Sequence, residues 1–309
     1  MSGSRRLLGA AAGLVADRLV GEPPVPDRLH PVALFGSMAG GLERRLYADR
    51  TAPGALYAGL GLGMAAATGR LLRSPAAACY LAVAGRSLHT AAAAVGAALD
   101  RGDLDQARDL LPSLVGRDPA GLDAAEIARA VVESVAENTT DAIVAPALWT
   151  AAAGAPGAFL HRAADTLDSM VGYRSPRYQR FGTAAARLDD AMAWLPARCT
   201  AALVALVRPA RARAVRAAVQ EGAATHPSPN AGVAEAAFAG ALGVRLGGRN
   251  RYGDGVETRP PLGSGPGPTA ADIGPAVRLS RDVSWALAGV LATAGCALAL
   301  LARERRGRR

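Results

Sequence analysis

The sequence predicts an all-α fold, a polytopic membrane helical bundle with one polar, Gly/Pro-rich loop. Three observations predict it. Runs of 19 uncharged residues recur along a chain of 309, each close to the length that crosses about 30 Å of hydrocarbon. Half of the residues are hydrophobic but only 4% are aromatic, and the small residues that dominate instead let helices approach closely in lipid. Arginines flank the apolar runs, where positive charge orients membrane segments.

The elements follow in chain order. Arg5 and Arg6 precede a short apolar run, Leu7 to Ala16, that looks like a secretory signal; it leads directly into Asp17-Arg18 and is read as a retained segment. Thr51 to Gly69 is the first full-length run. Residues 75–99 form a weaker candidate, interrupted by Arg86 and His89. Residues 100–141 open with Asp100, Asp103, Asp105, Arg108 and Asp109, which predicts a polar, solvated helical segment. Ala142 to Leu160 is the second full-length run, and 191–207, interrupted by Arg198, is another weaker candidate. Segment 231–244 is short for a crossing and suits a re-entrant or interfacial helix. Residues 245–270, with Gly-Ser-Gly-Pro-Gly-Pro at 263–268, predict an exposed loop with room for a short hairpin before it. Ser284 to Ala302 is the strongest span. About four or five embedded helices are expected in a single integral-membrane domain over 1–309. Gly and Pro inside the first two runs keep a soluble alanine-rich bundle as the competing reading. Arginines at 303, 305, 306, 308 and 309 place the C-terminus in the cytoplasm, and Arg208, Arg211, Arg213 and Arg216 place the segment after 207 on the same side. Two such assignments need an even number of crossings between them, so the topology stays open.

The net charge is +9, and all 35 basic residues are arginine. The absence of lysine excludes a Schiff-base lysine and a P-loop lysine. Nucleic acid is not expected as a partner: no zinc finger, aromatic-basic RNA motif or long basic tail occurs. Cys79, Cys199 and Cys296 lie far apart in apolar segments and read as small buried hydrophobes.

Chemistry concentrates between 133 and 178. Arg129, Glu133, Glu137 and Asp141 recur every fourth residue, which on an α-helix gives one slowly drifting stripe. Stacked acids repel unless a cation lies among them, and carboxylate oxygens suit Mg²⁺ shared with phosphate oxygens. The bland alternative is a solvated face with an Arg129–Glu133 pair. Asp165 and Asp168 share a helical face, and Arg174, Arg177 and Tyr178 follow shortly after. Acids that could hold a metal beside guanidinium forks that match phosphate fit phosphoryl chemistry, against a plain salt-bridged turn as the alternative. Asp189 and Asp190 precede an apolar run, and one functional acid there is a weaker expectation. His226-Pro-Ser-Pro-Asn230 forms a rigid turn into a helix whose first N–H groups suit an anion, unless Asn230 simply caps. His30 before Pro31 reads as structural.

These pieces resemble the CobD/CbiB family of cobalamin biosynthesis, the adenosylcobinamide-phosphate synthases. The resemblance runs through nearly the whole chain: Gly-Glu-Pro-Pro at 21–24, His-Pro-Val at 30–32, Glu-Ser-Val-Ala-Glu-Asn-Thr-Thr-Asp at 133–141, Asp-Thr-Leu-Asp-Ser-Met-Val-Gly-Tyr-Arg at 165–174, Arg-Leu-Asp-Asp at 187–190, and Ser-Pro-Asn-Ala-Gly at 228–232 leading to 240–248. It departs at Glu22, Ala142 and Asp165, where the family usually has Asp, Gly and Asn. The resemblance implies a multi-pass enzyme of the inner membrane that joins aminopropanol phosphate or aminopropanol to a propionate of adenosylcobyric acid with ATP and Mg²⁺. On that reading Glu137, Asp141 and Asp168 hold Mg²⁺–ATP, and Arg174 and Arg177, with Tyr178 and His226, bind phosphate or substrate. Asn138 and Asn230 orient carbonyl or amide groups, and Glu133 is the candidate base for the incoming ammonium. Other partners left open are a second copy of the chain or other late cobalamin-pathway membrane enzymes. A multi-pass transporter, or a regulatory membrane protein of the same superfamily, is the competing class.

Overall fold

In the computed structural model, residues 2–307 are described except Pro24, Asp27, Leu29, Arg117, Arg174, Gly253 and Asp254. The fold is all-α, a membrane bundle with one small hairpin. Three helices among the described residues are long and apolar enough to cross a membrane: α3 (Thr51–Leu72), α10 (Thr183–Val207) and α13 (Ala270–Gly307). Four or five spanning or embedded helices are expected from the sequence; among the described residues two of the other apolar runs are broken, so neither yields a single helix of spanning length. The run 142–160 is split at Gly154, whose φ of 72° leaves the right-handed helix. It yields α8 (Ala145–Ala153) and α9 (Ala155–Val171), with Pro156 in the first turn of α9. The run 75–99 is split at Val83-Ala84 into α4 (Pro75–Ala82) and α5 (Gly85–Asp100). Cys79 is buried as expected, whereas Cys296 is exposed on α13, as an apolar group facing lipid can be.

The chain divides into two compact units, each discontinuous in sequence. The first holds α1 (Gly3–Val20), α2 (Pro31–Leu46), α3, α4, α8, α9, the start of α10 and the end of α13. The side chain of Ser2 caps α1, and His30 caps α2, its Nδ1 accepting from the Val32 N–H at 3.4 Å. Helix α1 packs on α4, where the Cys79 thiol donates to the Ala10 carbonyl at 3.4 Å. The core beneath the turn after α9 is aromatic: Tyr57 lies 5.2 Å and Tyr47 5.4 Å from Phe181, ring centre to ring centre. Tyr47 also meets Tyr178 edge-on at 6.3 Å. In a chain with six tyrosines and four phenylalanines, this is a concentration of aromatic rings in a core that is otherwise mostly alanine with some leucine and valine.

The second unit holds α5, α6 (Leu104–Leu110), α7 (Ala124–Thr139), the end of α10, α11 (Ala212–Gly222), α12 (Ala231–Leu242), the hairpin and the start of α13. Asp123 and Glu126 form a reciprocal capping box at the start of α7. The helix is not the solvated segment expected over 100–141. Ile127, Ala128, Val131, Val132, Val135 and Ala136 are fully buried, so the acids that suggested solvation belong to α6 and its approaches, not to α7. Helix α12 is buried along its length and ends at Gly243. Strands β1 (Leu246–Tyr252) and β2 (Gly255–Leu262) pair antiparallel, with Leu246 opposite Leu262, and both leucines are buried. The region 245–270 is thus mostly a docked hairpin, and only its Gly/Pro end is loop. The Arg245 N–H ties that end back by donating to the Pro266 carbonyl at 2.8 Å.

Candidate functional site

In the second unit the acid-bearing motif lies at the C-terminal end of α7. The α geometry on which the fourfold spacing rests ends at Thr139; residues 140–144 form a π-helical turn before α8. Asp141 therefore leaves the stripe begun by Arg129, Glu133 and Glu137. Single π turns inside helices are frequent at functional sites.

The motif divides by exposure. Glu133 is buried, and its Oε1 accepts from Arg129 Nη1 at 3.2 Å and from the Gly247 N–H at 2.9 Å. Arg129 Nη1 also donates to the Gly247 carbonyl at 2.8 Å, so the pair grips the first strand of the hairpin. Thr139 and Thr140 point inward. Thr139 Oγ donates to the Val135 carbonyl at 2.6 Å and lies 2.7 Å from Ser280 Oγ, which in turn meets His89 Nε2 at 2.8 Å. Thr140 Oγ donates to Thr200 Oγ at 3.0 Å. These contacts satisfy buried polar atoms in the unit that holds most of the buried polar side chains among the described residues. Glu137, Asn138 and Asp141 are instead half-buried. Asn138 Nδ2 donates to the Ser134 carbonyl at 3.0 Å and to Ser134 Oγ at 3.2 Å, which fixes the orientation of its amide.

Also in this unit, Asn230 occupies the N-cap position of α12 without making a side-chain cap. Ser228 Oγ accepts from the N–H groups of Asn230 and Ala231, at 3.3 and 3.1 Å, and does the capping. Asn230 Oδ1 accepts from Arg198 Nη1 at 2.9 Å. His226 is buried, with Nδ1 3.1 Å from the Ser228 N–H and Nε2 3.7 Å from the buried carboxylate of Glu235, which Arg259 also approaches at 3.7 Å.

In the first unit, Asp165 and Asp168 both lie on α9. Asp165 pairs with Arg162 at 3.1 Å. Gly172, at the end of the helix, is needed for close approach: a Cβ there would overlap the Asp168 carboxylate. Arg174 lies outside the described residues. Arg177 Nη2 reaches Glu43 at 3.2 Å, and Tyr178 Oη donates to the same Glu43 oxygen at 2.8 Å. The Arg177 guanidinium stacks over Tyr47 at 4.3 Å, and Tyr47 Oη donates to the Arg177 carbonyl at 2.9 Å. Hydrogen bonding to Tyr178 and Glu43 holds Arg177 more firmly in its charged form, and the Glu43 carboxylate, with burial, pushes the Tyr178 phenol up. Asp189 and Asp190 are half-buried in the first turns of α10.

Glu43, Arg198, Glu235 and Arg259 of these clusters escape a reading of the sequence. Glu43 lies 134 positions from Arg177, and nothing in Leu-Glu-Arg-Arg marks it. Arg198 had a signal: a charge inside an apolar run is a functional candidate by default. No group of three or more His, Cys, Asp or Glu side chains poised to hold a metal occurs among the described residues.

Comparison with known proteins agrees with the motifs. The CobD/Cbib protein family profile matches residues 10–280, which include every acid discussed above. Proteins named cobalamin biosynthesis protein CobD are similar over most of the chain. The one from Mycobacterium tuberculosis (strain CDC 1551 / Oshkosh) is 48% identical, covering 93% of this chain and 95% of the relative. That from Chromobacterium violaceum is 46% identical, covering 88% and 91%. That from Geobacter metallireducens is 41% identical, covering 81% and 84%. No solved structure matches. With the profile spanning most of its length and relatives this similar, the chain belongs to the CobD/CbiB family of cobalamin biosynthesis proteins.

Proposed function

We propose that the protein is an adenosylcobinamide-phosphate synthase of the cytoplasmic membrane. It forms an amide between (R)-1-aminopropan-2-ol phosphate, or free aminopropanol, and a propionate carboxylate of adenosylcobyric acid, and it consumes ATP. The observation that carries this reading is the state of the 133–141 motif. In a helix that is buried continuously from Ala130 to Ala136, Glu137 and Asn138 are half-open, as is Asp141 on the π turn beyond, all within the segment matched by the family.

The chemistry sets the requirements. A carboxylate oxygen does not leave toward an amine. Transfer of a phosphoryl group to that oxygen makes it a leaving group, attack by the neutral amine forms the C–N bond, and phosphate departs. Mg²⁺ would neutralise phosphate charge during this transfer. Glu137, Asp141 and Asp168 are assigned to it. The half-buried carboxylates of Glu137 and Asp141, both in the second unit, suit an ion that keeps waters and phosphate oxygens as its other ligands and needs no closed protein cage, while Asp168 is assigned on the family resemblance alone. Arg177 and Arg174 are assigned to phosphate, with Tyr178, His226 and Asn230 contributing to substrate binding. Asn138, its amide held by Ser134, is assigned to orient a carbonyl or amide.

The test is product analysis by mass spectrometry on the purified chain in detergent, supplied with corrinoid acid, phosphorylated or free aminopropanol, ATP and Mg²⁺. The adenosylcobinamide product is expected, and Glu137→Gln and Asp168→Asn should each reduce it strongly. Near-wild-type product from both variants removes the metal assignment. Absence of product from the wild type, with substrate flux into vesicles, favours a transporter.

A further inference from the structure

The first unit contains an apolar cavity of about 260 Å³ that takes no part in the chemistry above. Its walls come from the first half of α2, the last part of α3, the end of α4 and the middle of α9, with Phe35, Met64, Ala65 and Phe159 among the lining. One charged side chain lines it, Arg162. Arg162 Nη1 is held by Asp165, but its Nε is buried and makes no hydrogen bond among the described residues.

The depth of this cavity can be read from α3. Met64 is eight residues before Leu72, the last residue of a candidate span, so the cavity lies within about 12 Å of that end at 1.5 Å per residue. Arg70 and Arg73 stand exposed at that end, and exposed Arg28 precedes α2 by three residues. The rim is apolar and open: Leu34 and Met38 are 45% and 55% exposed, and Leu71 is 81% exposed. An apolar slot that starts at headgroup level and deepens toward the bilayer centre, with arginines at its shallow end, matches an anionic amphiphile. The peripheral amides of a corrinoid would lose their hydrogen bonds against such a wall.

We propose that this groove binds an anionic phospholipid of the surrounding bilayer, with part of one acyl chain in the cavity and the phosphate at the shallow end, among the exposed Arg28, Arg70 and Arg73. The site is distinct from the amide-forming chemistry and does not depend on it.

The experiment uses the full chain in phosphatidylcholine nanodiscs doped with a phosphatidylglycerol that carries a diazirine midway along one acyl chain. After irradiation, adducts are mapped by peptide mass spectrometry. Labelling is expected to concentrate on peptides containing Met64–Thr68 and Phe159–Thr166, above that on exposed Leu298, Leu300 and Leu301 of α13. Unlabelled phosphatidylglycerol should compete. Arg28→Gln and Arg73→Gln should each lower the labelling about fivefold, the ratio that ~1 kcal/mol per arginine beside an anionic lipid gives. Arg73→Lys, which keeps the charge, should largely preserve it, and Ala65→Phe, which fills the cavity, should abolish it. The proposal is overturned by labelling no denser than on α13, by equal labelling from the matching phosphatidylcholine probe, or by displacement with the corrinoid acid, which would give the groove to the substrate.

Discussion

Glu133 is the acid whose role the geometry sharpens most. Its carboxylate is 2% exposed and bonds both Arg129 and the backbone N–H of Gly247, so it anchors β1 to α7. Glu133→Ala removes the acceptor of a buried N–H and takes the carboxylate from beside a guanidinium that is only 14% exposed. Breaking a buried pair from one side costs about 3 kcal/mol. Glu133→Gln keeps the shape and an acceptor for Gly247 but loses the charge, and costs about 1.4 kcal/mol. Local opening of the hairpin anchor reads these values directly. Amide hydrogen exchange at Gly247 should accelerate about a hundredfold in Glu133→Ala and about tenfold in Glu133→Gln, since 1.4 kcal/mol is one decade. If the anchor is its whole role, Glu133→Gln forms amide product in proportion to its folded fraction. Unchanged exchange at Gly247 in Glu133→Ala would refute the anchor. Near-native exchange with lost product in Glu133→Gln would instead support Glu133 as the base for the incoming ammonium.

Gly172→Ala should displace the Asp168 carboxylate, since the added Cβ overlaps it; product formation is expected to fall at least tenfold with the helical circular dichroism unchanged. Glu43→Gln removes the charge that disfavours the Tyr178 phenolate, so the phenol should titrate closer to its ordinary value of 10.0, followed by ultraviolet absorbance. The sign for stability follows: a folded-state phenol held above its unfolded value contributes stability that is full below about pH 10 and lost as pH rises through the folded value, and Glu43→Gln should shrink that loss. Asn230→Ala takes the acceptor from Arg198 at the start of α12 and should cost about 1–2 kcal/mol, measured as a lower midpoint of thermal unfolding in detergent. The chain should stay in the pellet when membranes are washed with alkaline carbonate, through α3, α10 and α13.

The spans were legible where length and composition act alone. Helices α3, α10 and α13 are uninterrupted by any residue that forces the chain out of the right-handed helix, although α10 carries Pro196 and Arg198. The run 142–160 is as free of charge as 51–69, and the conformation adopted at Gly154 is what breaks it; glycine permits that conformation without demanding it. The burial of α7 was misread because the acids of 100–109 coloured the whole segment, while Val131, Val132 and Val135 already carried an apolar face. The acids and amides of the site were visible as residue types in motifs. Their division into anchors and half-open groups was not, because Glu133 and Glu137 differ only in the tertiary partner each meets. Glu43 illustrates the limit: a contact that joins α2 to the turn after α9 leaves no local trace.

The π turn at 140–144 has a consequence for how this family can change. An α-helix relaxed to a wider turn has in effect absorbed one surplus residue. Removing a single residue from 140–144 would let the ladder close as ordinary helix, and because five residues at the wider pitch cover nearly the same angle as four in an α-helix, the segments on either side would keep their relative facing. What the deletion would erase is the wide turn itself, and with it the departure of Asp141 from the stripe of Glu133 and Glu137. A homologue one residue shorter across these five positions should therefore keep the packing of the flanking helices and present its aspartate differently.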